Sequence, residues 1–166
     1  MRLTTKGRYA VTAVMDLAIH QSARPVTVAE IAERQSIPKP YLRRLLAQLN
    51  RYGLVDSQRG PKGGYTLQRA PQEICLAAVL DAVGESINTM RCAGRMNCQG
   101  NQQCLSHAVW EKLSESIRCL LREISLADLV SDTPVRKVAE RQLQGWQHMH
   151  DNLESTKEAT PAEVMS

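Results

Sequence analysis

Four side chains of the kind that bind soft metals crowd into one short stretch, Cys92-Ala-Gly-Arg-Met-Asn-Cys98-Gln-Gly-Asn-Gln-Gln-Cys104-Leu-Ser-His107. Three cysteines stand at equal five-residue gaps, and a histidine follows the last of them by three positions. The stretch is rich in Gly, Asn and Gln and poor in apolar residues, so it has no core of its own and needs something at its centre to hold it. Thiolates with one imidazole can bind zinc or an iron–sulfur cluster. Free structural thiols would want a burial that such a loop does not offer. Disulfides suit secreted domains, whereas this chain opens Met-Arg-Leu-Thr-Thr-Lys, without the apolar run of a signal peptide, and has an odd count of five cysteines. The expected setting is a reducing cytoplasm. Zinc is the stronger rival, because three Cys and one His make a closed tetrahedral set, although structural zinc sites typically bring two ligands within about two to four residues. Here only Cys104 and His107 are that close, as they would be around the first turn of a helix.

A second set of residues is basic. At about 100° per residue, Tyr41, Leu42, Leu45, Leu46 and Leu49 fall on one arc of a helix, and Arg43, Arg44, Ala47, Gln48, Asn50 and Arg51 on the other. A solvated face is the ordinary reading of such a stripe, but this one contains no acid. Arg, Gln and Asn are the side chains that reach guanine and adenine edges in a major groove. A little further on, Arg59-Gly-Pro-Lys62-Gly-Gly puts two cations among glycines. A nucleotide-binding P-loop would end in Gly-Lys-Ser/Thr and lead from a strand into a helix, and this loop does neither. The expected DNA-contacting set is Lys39, Tyr41, Arg43, Arg44, Gln48, Arg51, Arg59 and Lys62, with Arg59 directed to the minor groove or its phosphates. No paired carboxylates, nucleophile–base arrangement or nucleotide fingerprint supports catalysis, so an enzyme is not expected.

The elements that must carry these residues are legible in outline. Ala10, Ala13, Val14, Leu17 and Ala18 recur at helical spacing between Lys6 and about His20, with Thr12 and Asp16 off the stripe. Thr27-Val-Ala-Glu30 reads as a capping box opening a helix through Arg34. The proline-bound link Gln35 to Pro40 then makes a tight turn into the basic helix, which Gly53 ends. Together these predict a helix-turn-helix. Leu54–Gln58 and Tyr65–Gln68 read as strands of a hairpin whose tip is the basic loop, a wing. Leu76, Val79, Leu80 and Val83 mark a fourth helix. After His107, Trp110, Leu113, Ile117, Leu120, Leu121 and Ile124 form a stripe on a long helix. A chain this small offers that stripe few partners, so a second copy, a homodimer, is expected. Ser125-Leu-Ala-Asp128 is another capping box, for a helix through Val130. Cys75 and Cys119 sit beside apolar neighbours and read as core. Residues 131–166 read as a polar, largely disordered tail, in which His148 and His150 are a solvated pair rather than a metal site.

The chain has 166 residues, 43% hydrophobic, and no apolar run approaches the roughly 18 residues that cross a membrane. Its net charge of +4 is unevenly shared: residues 1–75 hold twelve Lys and Arg against five Asp and Glu, a balance of +7, and the remainder holds nine against twelve, or −3. A basic N-terminal part suggests a polyanionic partner. With no Phe and few aromatics, stacking on single-stranded bases is an unsuitable mode.

Three segments together resemble a bacterial family of winged-helix transcription regulators. Met1-Arg-Leu-Thr-Thr-Lys-Gly-Arg-Tyr-Ala10 and the wing Arg59-Gly-Pro-Lys-Gly-Gly-Tyr65 are similar to that family throughout. The set Cys92, Cys98, Cys104 and His107 is similar to its iron–sulfur cluster regulators, the IscR branch, as distinct from nitric-oxide sensors and cysteine-metabolism regulators. The resemblance runs from residue 1 to about 130. It implies a mainly α fold with a small β-hairpin: a winged helix-turn-helix over 1–75, and a cluster-binding loop with dimerisation helices over 76–130. It also implies a [2Fe-2S] cluster on Cys92, Cys98, Cys104 and His107, received from cluster-assembly machinery, and a homodimer on double-stranded DNA with two half-sites. Control of cluster-assembly genes, as repressor and at some promoters activator, is the implied role. The chain departs from the family pattern at Arg43, where Glu is common, and at Pro38 and Pro40, where serines are. These departures bear on site preference.

Overall fold

The computed structural model describes residues 4–21, 24–60, 63–88, 92, 95–99 and 102–158, with the backbone alone over 152–158. Three helices make the N-terminal unit: α1 (Thr5–His20), α2 (Val28–Gln35) and α3 (Lys39–Arg51). Each begins or ends where local chemistry requires. Thr4 caps α1 by accepting from the Gly7 amide at 3.4 Å. The Thr27–Glu30 capping box forms in full, the Glu30 amide donating to Thr27 Oγ1 at 3.2 Å and the Thr27 amide to Glu30 Oε2 at 2.8 Å. Arg24 clamps the same carboxylate. Burial raises the Glu30 pKa, but hydrogen bonds from Arg24 and then Thr27, with the Arg24 charge, outweigh it and hold it down to about 2. Ser36 turns the chain in the left-handed region at φ 52°, and Gly53, at φ 72°, stops α3.

The hairpin β1 (Val55–Gln58) and β2 (Gly64–Leu67) is antiparallel, with Val55 opposite Leu67 and Gln58 opposite Gly64. It does not stand alone. Val26, just before α2, exchanges two backbone hydrogen bonds with Tyr65, at 2.9 and 2.8 Å. Gly64 permits that approach: a Cβ there would lie 2.6 Å from the Val26 carbonyl oxygen. The wing is thereby fixed to the helix-turn-helix.

The core lies around α1, whose Ala10, Ala13, Val14 and Leu17 are buried among Ile31, Leu42, Leu45, Leu46, Leu49, Ile74, Val79 and Leu126. A 3-10 turn at Pro71–Glu73 leads to α4 (Leu76–Ala82). After the cysteine segment come α5 (His107–Glu123) and α6 (Leu126–Ser131), the latter opened by the expected Ser125–Asp128 box. Two backbone hydrogen bonds, Leu76 to Ile124 and Leu126 to Ile74, bring the start of α4 and the start of α6 together.

Asp16, off the apolar stripe of α1, is 1% exposed, and its carboxylate receives Arg34 and Gln35. Two expectations need correction. Cys119 is exposed on α5 rather than in the core, 3.6 Å from the Glu115 carboxylate. The second concerns residues 131–166, where a helix, α7 (Thr133–Glu158), replaces the expected unstructured tail as far as Glu158. Its sparse apolar positions Val135, Val138 and Ala139 fall on one side with Gln142, over Met15 and Ile19 of α1. A stripe that narrow gives little composition signal yet suffices to dock a helix. Residues 159–166 lie outside the described residues.

Candidate metal centre and nucleic-acid interface

α4 and α5 position the cysteine segment between them. His107 is the first residue of α5, 3% exposed, with its amide bonded to the Cys104 carbonyl at 3.0 Å. Its Nδ1 lies 3.3 Å from Cys98 Sγ and 3.8 Å from Cys92 Sγ. The donor atoms of Cys92, Cys98 and His107 all fall within 4.8 Å of one another, a group able to hold a metal. Cys92 is buried, Cys98 is exposed and Cys104 half-buried. The segment between them is folded by its own backbone: Gln99 and Gln102 exchange two hydrogen bonds, at 3.1 and 2.9 Å, and Arg95 donates to the Cys92 carbonyl at 3.0 Å.

Cys104 stands outside the tight trio, but its thiol interacts with that of Cys98. A backbone hydrogen bond from the Cys104 side lowers the Cys98 pKa, and the thiols of Cys92 and Cys104 outweigh it and raise it. Cys104 moves the other way, lowered first by the Ser106 hydroxyl, 3.7 Å away, and then by Cys98. The thiolate form is therefore favoured at Cys104 over Cys98. Two sulfurs and an imidazole nitrogen brought together, with Cys104 adjoining Cys98 and no carboxylate in the group, are a soft donor set that fits iron–sulfur or zinc and not a hard cation. His148 and His150 are not such a set; His150 Nε2 is 3.2 Å from Glu33.

The exit of α4 is tied to the start of α1. Glu85, 6% exposed, accepts from the Thr4 amide at 2.9 Å and from its hydroxyl. Its carboxyl lies where a Cβ on Gly7 would come within 3.1 Å. Burial raises the Glu85 pKa and the Thr4 hydrogen bonds more than offset it, leaving it lowered. Sequence reasoning missed this contact, for which Gly7 inside a helix was the available sign.

Of the basic set, Lys39, Arg43, Arg44, Arg51 and Arg59 are exposed and Gln48 half-buried. Arg43, the first turn of α2 and the wing residues Gln58, Arg59 and Gly63 line one cleft of about 460 Å³. A helix N-terminus with two guanidinium groups beside it attracts phosphate. Tyr41 instead turns its ring edge-on to Tyr9, centroids 5.8 Å apart. Asn50 is held by the Val55 carbonyl at 2.9 Å. Lys62 lies outside the described residues.

On α5, Trp110, Leu113 and Leu120 are 44, 42 and 56% exposed while Ile117, Leu121 and Ile124 are half-buried, so among the described residues the stripe is only partly covered. No helix among the described residues is long and apolar enough to cross a membrane.

Comparison with known proteins agrees with this geometry. The chain is 50% identical over 142 residues to the HTH-type transcriptional regulator IscR of Serratia proteamaculans, covering 86% of this chain and 87% of that one. It is 51% identical to the regulator of the same name from Xenorhabdus nematophila over the same shares. Among solved structures, T. potens IscR superposes with a TM-score of 0.66 at 38% identity, over 80% of this chain and 88% of that chain. CymR, the global cysteine regulator of B. subtilis, superposes at 0.68 and 26% identity, over 79 and 97%. These relatives are transcriptional regulators, not enzymes. Residues 3–132 match the Rrf2 family, described as iron-dependent transcriptional regulator, and the chain belongs to that family.

Proposed function

We propose that the chain is a homodimeric, cytoplasmic regulator whose operator binding is tuned by a [2Fe-2S] cluster on Cys92, Cys98, Cys104 and His107, and that it controls cluster-assembly genes. The observation that carries this reading is the convergence of His107 Nδ1 with Cys92 and Cys98 at the head of α5. Cys104, adjoining Cys98, completes a set of four. When bound, the cluster supplies a charge and a rigid centre to a segment otherwise held by short backbone contacts. Cys92 anchors the buried side, Cys98 and Cys104 the solvent side, and His107 links the centre to α5. The machinery that assembles clusters is the donor.

The DNA-facing residues are Lys39, Arg43, Arg44, Gln48, Arg51 and Arg59, with Lys62 on the same loop as Arg59 and Tyr41 supporting the start of α3. The exposed Trp110, Leu113 and Leu120 of α5 support a second copy as partner, which would present two reading heads to an operator of two half-sites. The visible spectrum of anaerobically purified protein tests the centre: a cluster colours it red-brown, and a colourless, zinc-containing protein would refute the sensing role. Footprinting genomic DNA with cluster-bound and apo protein side by side tests the coupling, and identical footprints at every site would refute it.

A further inference from the structure

The last described part of α7 reaches the start of the recognition helix through one carboxylate. Glu33, on α2, accepts from Lys39 Nζ at 3.1 Å through Oε1. Its Oε2 accepts from Trp146 Nε1 at 3.2 Å and lies 3.2 Å from His150 Nε2. The two aromatic rings adjoin, centroids 4.2 Å apart, and the Arg34 guanidinium lies 5.8 Å from the centre of the Trp146 ring. Gln35 and Gln142 add a hydrogen bond at 3.1 Å, one turn nearer the N-terminus of the helix. Lys39 is the first residue of α3, and its side chain keeps half its surface open, against 35% for Glu33.

These positions put a negative charge next to a cation that faces DNA. A carboxylate within a Debye length of about 10 Å of a phosphate opposes binding, and it also competes for the lysine. N–H donors on Oε2 spread and offset that charge. The Glu33 pKa lies below the usual carboxylate range, owing first to Lys39 and then to His150.

We infer that α7 is part of the DNA-binding device: Trp146 and His150, by engaging Glu33, set how much of the Lys39 charge is available to the DNA backbone. Glu33 is thus a positioning residue for Lys39, and the C-terminal helix acts through it. The inference rests on the proposed DNA-facing role of Lys39. Because a phosphate contact is independent of sequence, sheared duplex DNA is a sufficient probe.

The test is a double-mutant cycle on the anaerobically purified, full-length dimer. Trp146→Phe with His150→Phe keeps the rings and removes the N–H donors. This pair should weaken duplex binding roughly two- to tenfold, the scale of an exposed charge interaction counted twice in a dimer. In a Glu33→Gln background the same pair should have no effect, and Glu33→Gln alone should bind at least as tightly as the parent. An equal loss in both backgrounds would mean that α7 acts only through fold stability and would overturn the inference, as would no loss in either. Lys39→Ala separates the two levels. If it leaves binding unchanged, the DNA-facing role of Lys39 fails and the inference with it; if it weakens binding while the aromatic pair does not, only the inference fails.

Discussion

Arg34 closes on Asp16 with a two-pronged contact, Nη2 to Oδ1 at 2.6 Å and Nε to Oδ2 at 3.0 Å, in a site where the two side chains are 3 and 0% exposed. The pair locks α1 to α2, and Gln35 adds a third donor at 2.7 Å. Removing one member of a buried pair strands the other, at about 3–5 kcal/mol. Asp16→Ala should therefore destabilise the fold by that order, measured as a denaturant midpoint. Burial raises the Asp16 pKa, but hydrogen bonds from His20, Arg34 and Gln35 outweigh it, so the folded-state value lies below the usual carboxylate value. Its contribution is then present above the unfolded-state pKa and is lost as pH falls through the folded one. In Asp16→Ala the acid side of the stability profile should be flatter than in the parent.

Each of Cys92, Cys98 and Cys104 should be required for cluster content, because a lost thiolate leaves an iron without its charged ligand in a segment with little apolar support. His107 should behave differently. A neutral imidazole dissociates more readily than a thiolate and leaves a less negative, more easily reduced centre. His107→Cys should keep a cluster at lower potential, and His107→Ala should hold it poorly, both measured anaerobically. Two variants that match the parent would remove His107 from the ligand set.

With roughly six to ten basic residues of a dimer on phosphates, the log–log salt slope of operator binding should be about −5 to −9. A slope near zero would sink the DNA reading. Arg59→Ala, on the rim of the cleft between α2 and the wing, should cost on the order of 1–3 kcal/mol with a loss that depends on sequence. A loss uniform over all sequences would make Arg59 a backbone contact.

Leu120, 56% exposed in the single chain, lies in the middle of the α5 stripe. Leu120→Asp should sediment as a monomer, since an unpaired charge in a buried seam is expensive, and should lose binding to two-half-site DNA. A dimeric variant would put the interface elsewhere.

Periodicity and punctuation made much of this molecule legible. The stripe of α1, the Thr27 and Ser125 boxes, the prolines before α3 and the glycines of the wing each have a cause within a few residues, and sequence exposes such causes. What escaped depends on partners far along the chain. Nothing near Asp16 announces Arg34. Nothing near Glu85 announces Thr4, 81 positions away. α7 looked like a tail because Trp146 and Gln142 find their partners on α2. The cysteine spacing indicated a candidate metal-binding segment, but not that Cys104 sits apart from the Cys92, Cys98 and His107 trio, which depends on how α5 begins.

The two backbone bonds joining Leu76 to Ile124 and Leu126 to Ile74 close the chain on itself, so that α4, packed on the core, begins and α5 ends at one seam, with the cysteine segment between them. An excursion pinned at both ends can loosen without lengthening the path the rest of the chain must span, and the entropy of such a closure changes only slowly with loop order. If the proposed cluster is lost, the change would therefore strike this excursion and leave the winged helix outside it. Under the proposed function, the signal would then pass through the excursion to a partner copy rather than by unfolding of the reading head.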